Sequence, residues 1–166
     1  MMRNQKGFSL FEVMAALIIF SFGMLGMGKM LTLAMKSNSS ANSGTQATTL
    51  ANAMLDRMRA NRANSLQGTA SGYSLPALTS SATFGTGPDC STVTCSNANL
   101  ATYDVANWLA GLSAASALPS GKGSIVLTSL NGQVSVAITV QWDDSVTQKA
   151  LKETINPATF TLTSTL

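Results

Sequence analysis

The sequence predicts an α+β protein in which one long N-terminal helix packs on a C-terminal antiparallel sheet. Two patterns carry that expectation. An almost unbroken apolar run from Phe8 to Met35 is followed by a stripe of Leu50, Met54, Leu55 and Met58, spaced i, i+4, i+5 and i+8 as on one face of a helix. Further on, two β-type segments flank Asn131-Gly132, and a third closes the chain.

The helix comes first. About 20 apolar residues at roughly 1.5 Å each span the hydrocarbon of a bilayer, so the stretch 8–35 is long enough to cross one. Only Glu12 and Lys29 are charged within it. A carboxylate in a spanning helix costs roughly 2.5 to 3.5 kcal/mol near the bilayer centre, so Glu12 needs a partner. Arg3 and Lys6 hold the short leader on the cytoplasmic side and send the remainder across. Cleavage after Gly7 would place a new ammonium on Phe8, four residues before Glu12, for pairing within one helix or with a neighbouring one. A secretory signal peptide also has a basic start and an apolar stretch, and Ala34 would serve as its small residue. That reading and a plain single-span anchor both leave an acid at the start of the run without a use.

The motif Lys6-Gly7-Phe8-Ser9-Leu10-Phe11-Glu12 resembles the prepilin processing site of type IV pilins and the related secretion pseudopilins. The resemblance implies cleavage between Gly7 and Phe8 by a prepilin peptidase, methylation of the Phe8 amine, and a filament subunit docked through Glu12. It divides the chain into a leader at 1–7, a long helix at 8–62 with its anchor at about 8–35, and a globular domain at 63–166. About 100 residues beyond the helix suffice for one modest core.

Ser37 to Gly44 is rich in Ser and Asn, so the helix is expected to continue there with weak local stability. Gly23, Gly26 and Gly28 suit either close packing in lipid or local loosening, which the resemblance also suggests. Asp56, Arg57, Arg59 and Arg62 are expected on the exposed side of the last turns, where cations favour the helix dipole. Dense Gly, Ser, Thr, Pro and Asn from Ala63 to Pro88 read as loops. Cys90 and Cys95 are the only two cysteines, and beyond an anchor with a basic cytoplasmic leader they face an oxidising compartment and are expected to pair.

A short helix from about Asn97 to Leu112 would gather Val105, Trp108, Leu109 and Leu112 on one face, with Ser96 or Asn97 at its start. Ser124 to Leu130 and Gln133 to Trp142 form a hairpin around Asn-Gly, which favours the type I′ turn. Val134, Val136, Ile138, Val140 and Trp142 alternate with smaller or polar residues and should face the helix. A third strand is expected from Ala158 to Leu166, entered through Asn156-Pro157.

Asp56-Arg57-Met58-Arg59-Ala60-Asn61, Cys90 to Cys95 followed by Ala101-Thr102-Tyr103-Asp104-Val105-Ala106-Asn107-Trp108, and Val140-Gln141-Trp142-Asp143-Asp144 resemble the minor pilins of the PilV type. That resemblance implies a low-abundance subunit that helps initiate type IV pilus assembly near the tip. The partners it implies are other minor pilins, the major pilin and a tip adhesin, with inner-membrane lipid around the helix before assembly and the globular domain in the periplasm. The alternative is a minor pseudopilin of a type II secretion system, which shares leader and helix. Seven methionines between Met14 and Met58 give the helix adaptable side chains for non-identical neighbours.

Other classes are disfavoured. The chain has no histidine for general-base or metal chemistry. It has no G-x-S-x-G, and Gly121-Lys122-Gly123-Ser124 lacks the upstream glycine of a phosphate loop. From Ala63 onward, Lys122, Lys149 and Lys152 face five acids, which does not make a nucleic-acid surface. Asp143-Asp144 reads as a solvated turn rather than a calcium site. We therefore expect no catalytic residue, no cofactor, no metal and no small-molecule substrate.

Overall fold

A computed structural model describes residues 7, 9–84, 88–115, 118–145, 148–149 and 156–166. Helix α1 (Leu10–Ala60) runs 51 residues without a break, and Ser37 to Gly44 stay helical. In that stretch and beyond, the hydroxyls of Ser43, Thr45, Thr48 and Thr49 fold back onto carbonyls four residues earlier. This satisfies them locally where poor helix formers would otherwise compete for backbone partners.

After α1 come α2 (Arg62–Ser65), a 3-10 turn at Gly68–Ala70, β1 (Leu75–Thr79), α3 (Ser81–Phe84), α4 (Asn97–Ala114), β2 (Lys122–Leu130), β3 (Gln133–Trp142) and β4 (Ala158–Thr165). The four strands form one antiparallel sheet in the order β1-β2-β3-β4. This is a pilin-like α+β fold, with the second half of α1 packed on the sheet.

The segment 63–88, read from composition as loop, holds four short elements among its described residues. β1 is hard to read because Pro76 interrupts a five-residue strand set between Ser74 and Ser80, and its register against β2 is irregular between Leu75 and Thr79. The hairpin follows the expected register. Asn131 and Gly132 both take positive φ, 51° and 80°, as a type I′ turn requires, and Leu130 pairs with Gln133 across it.

The core lies between α1, α4 and one face of the sheet. From α1 it takes Ala47, Ala51, Met54, Leu55 and Met58; from α4 it takes Val105, Trp108, Leu109 and Leu112; from β3 it takes all five of the alternating apolar residues. Leu50 is only half-buried and packs against the core from its margin, whereas Ala47 and Ala51 on the same helix are wholly buried. Met54 and Met58 are wholly buried, so only five of the seven methionines, Met14 to Met35, are exposed to meet neighbours.

Trp108 is a core residue, and its indole Nε1 donates to the Leu50 carbonyl at 3.0 Å. Its ring also fixes Gly123 on β2, where a Cβ would run into the six-membered ring. Ser96 caps α4, its Oγ accepting from the Asn99 amide at 3.3 Å.

Candidate assembly site and its anchoring domain

The first half of α1 has no core of its own. Every large apolar side chain from Leu10 to Met35 is exposed, including Phe11 at 81% and Ile19 at 73%, and burial begins only at Ser43. The helix is long and apolar enough to cross a membrane. Glu12 lies in its first turn, on an exposed face, where an acid complements the positive end of the helix dipole. Ser9 precedes the helix as N-cap, and its carbonyl accepts from the Glu12 amide at 3.0 Å. Gly7 is exposed coil ahead of that cap. Phe8 lies outside the described residues, so the expected pairing of its amine with Glu12 belongs to the reading of function below. Positions 23, 26 and 28 have open space where a side chain would stand, so within one chain no close packing calls for glycine there.

The other end of α1 is held by a polar cluster that periodicity does not reveal. The Tyr73 hydroxyl donates to Asp104 Oδ2 at 2.7 Å and accepts from Asn61 Nδ2 at 3.3 Å. Asn61 also donates to the Asn97 carbonyl at 2.7 Å, which joins the α1 terminus to the start of α4. Arg57 reaches the same aspartate at 3.8 Å and its carbonyl at 3.3 Å. Burial, followed by the hydrogen bond to the Asp104 carboxylate, pushes the Tyr73 phenol well above its ordinary range. Nearby, Asn64 Oδ1 accepts from Ser71 Oγ and the Gly72 amide, both at 2.9 Å.

Arg57 and Arg59 at the helix end are therefore not merely solvated. Arg57 bridges to α4, and Arg59 donates to Ser164 Oγ on β4 at 3.2 Å besides facing Asp56 at 3.5 Å. The signal available in the sequence was the pairing of a basic helix end with an isolated Tyr-Asp at Tyr103-Asp104. Tyr73, although nearer to the helix end in sequence, gave no local sign.

Cys90 and Cys95 are joined, with Cα atoms 5.5 Å apart. Asp89 prepares the turn before them, its Oδ1 accepting from the Ser91 hydroxyl at 2.6 Å and the Ser91 amide at 3.0 Å. Those bonds, the hydroxyl's first, hold its carboxyl below the usual carboxylate range. Asp143 is lowered chiefly by the Ser145 amide at 2.8 Å, while Asp144 accepts from Ser40 Oγ of α1 at 2.7 Å. The Asp143-Asp144 pair thus closes a turn and ties it to the helix. Among the described residues no group of three or more acids, cysteines or histidines stands ready to hold a metal.

Residues 30–106 match the family model described as Type IV pilin Tt1218, and residues 2–28 match the Prokaryotic N-terminal methylation motif. These matches support a type IV pilin. The first ends just beyond Asp104, so it spans the distal half of α1, the disulfide loop and every member of the Tyr73 cluster. The second covers Gly7, Phe8 and Glu12. Neither the curated proteins nor the solved structures include a significant match. The pilin family is one of structural subunits rather than enzymes. For a pilin, the methylation motif implies processing by prepilin peptidase and pilin partners in general, and with the apolar helix it fits anchoring in the inner membrane before entry into a pilus.

Proposed function

We propose that this chain is a minor pilin of the type IV pilus, of the PilV type, cut between Gly7 and Phe8 and methylated at Phe8. The globular domain faces the periplasm, and the subunit helps initiate the filament near its tip alongside other minor pilins, the major pilin and a tip adhesin. The observation that carries this reading is the division of α1. Its distal half is locked into a core, while its proximal half exposes a continuous apolar surface bearing one acid at its start.

In lipid an apolar helix has little hydrophobic reason to leave its surroundings, so ordered assembly needs a directional interaction. Glu12 supplies it by pairing with the Phe8 amine, its own or that of a neighbouring helix, which recovers much of what each lone charge costs. That pairing sets the axial register of one helix against the next.

Mass spectrometry of the mature protein tests the processing: an N-methyl-Phe terminus is expected, and Gly7→Val should retain the leader. A chain beginning near Met35 would establish a secretory signal instead. Deleting the gene tests the system served. Loss of surface pili and twitching with normal secretion is expected; the opposite pattern would make the protein a type II secretion pseudopilin.

A further inference from the structure

The sheet ends at β4 with an edge that nothing closes among the described residues. The Leu166 amide donates to the Val134 carbonyl at 2.9 Å, so in this antiparallel register the even-numbered residues of β4 bond to β3. The N–H and C=O groups of Thr159, Thr161 and Thr163 and the N–H of Thr165 accordingly point away from the sheet, while the Thr165 carbonyl accepts from Ser164 Oγ at 3.3 Å. β4 has eight residues, no charge, no proline within it and no irregularity against β3. Sheet edges in water are ordinarily blunted by such features. The opposite edge has them: β1 is five residues long, contains Pro76 and pairs irregularly.

The core is also unfinished on this side. The inward residues of β3 are fully covered, with Ile138 and Val140 at 0% exposure, whereas Phe160, Leu162 and Leu166 are only half-buried beside them. One more strand would pair the free backbone row and complete the apolar layer together.

We propose that the β4 edge accepts an extended strand from a different protein, uncharged and apolar at every second residue. A second copy does not fit, on the reading that these chains share one membrane or filament. Joining two β4 edges antiparallel with continuous inner faces takes a two-fold axis normal to the sheet, which reverses α1 and sends the two apolar segments in opposite directions. The β1 edge of another copy preserves direction, but Pro76 lacks a donor there. The lack of charge on β4 matches a neutral strand, and backbone pairing supplies the affinity while alternate side chains supply the selectivity.

The test uses the full chain in detergent and a labelled soluble decapeptide alternating Val with Thr or Ser. Binding is followed by fluorescence anisotropy and by amide exchange. The peptide should slow exchange at Thr161 and Thr163, and Thr163→Pro, which removes an outward N–H and no bond to β3, should weaken binding about tenfold or more. Thr163→Ala, which keeps the backbone, should bind within about twofold of the parent. Thr161→Lys adds edge charge without altering the backbone and provides a second loss-of-binding variant should the proline disturb folding. Equal binding by Thr161→Lys and a folded Thr163→Pro overturns the proposal. So does protection at Leu75–Thr79 instead, or outward amides already as slow as inward ones without peptide. Sedimentation in the same detergent separates the readings: a dimer broken by Thr163→Pro overturns the foreign-strand occupant. None of these measurements requires filament formation, so failure of the pilin reading would show itself in the processing and deletion experiments.

Discussion

Tyr73 is the residue on which three chain segments converge. Its phenol is buried against Asp104 and Asn61, and Asp104 also receives Arg57. Tyr73→Phe removes a donor from a carboxylate and an acceptor from a buried amide. Partners left short of a hydrogen bond are expensive, so the variant should lose about 1 to 3 kcal/mol in denaturant unfolding at neutral pH. The raised pKa adds a pH signature. The unfolded chain releases the Tyr73 proton near pH 10, while the folded chain retains it well above that. The stabilisation is therefore complete below pH 10 and declines as pH climbs from there toward the folded value, by up to about 1.4 kcal/mol per pH unit. Unfolding curves of parent and Tyr73→Phe between pH 8 and about 11.5 should show that extra decline only in the parent. Parallel pH profiles would mean that the phenol ionises freely in the fold.

Among the elements, those governed by periodicity were legible in the sequence and those governed by distant partners were not. The β2-β3 hairpin was readable because Asn131-Gly132 fixes both turn and register, and α1 because its core stripe repeats at helical spacing. β1 was hidden because two residue pairs with β2 anchor it across some fifty positions of sequence. In the candidate assembly site, Gly7, Phe8 and Glu12 form one short motif that reads directly, whereas the anchoring cluster of Asn61, Tyr73 and Asp104 is assembled by tertiary packing. The packing of β2 against α4 rests on Gly123, which leaves room for the Trp108 ring. Gly123→Ala forces that ring away from its bond to Leu50, and overpacking of this kind should cost about 1 to 3 kcal/mol in thermal or denaturant unfolding. A neutral result would show that α4 can shift to absorb a methyl group. The Cys90–Cys95 loop is a different case, since it encloses so few residues that the bridge restrains little of the unfolded chain. Replacing both cysteines with Ser should lose about 2 kcal/mol, and a collapse of the whole fold would assign the loop a larger role.

The molecule as a whole is built on one helix with two different halves, one exposed and apolar and one packed into the core, and the boundary between them falls between Met35 and Ser43. The run of exposed large apolar side chains on α1 ends at Met35. The first ties to the globular domain appear at Ser40, through Asp144, and at the buried Ser43, and the continuous core begins at Ala47. Cutting after residue 35 therefore removes the exposed apolar surface and no group that holds the fold. The fragment 36–166 should be soluble without detergent, unfold cooperatively, and sediment as a monomer at micromolar concentration. Cutting after residue 53 takes away Ala47 and Ala51 and breaks the Trp108 bond to Leu50. Exposure of the sheet face they cover should abolish cooperative unfolding, because a domain of this size has about 5 to 15 kcal/mol to lose in total. If the longer fragment aggregates or melts without a transition, the proximal helix is part of the folding unit and the boundary lies elsewhere.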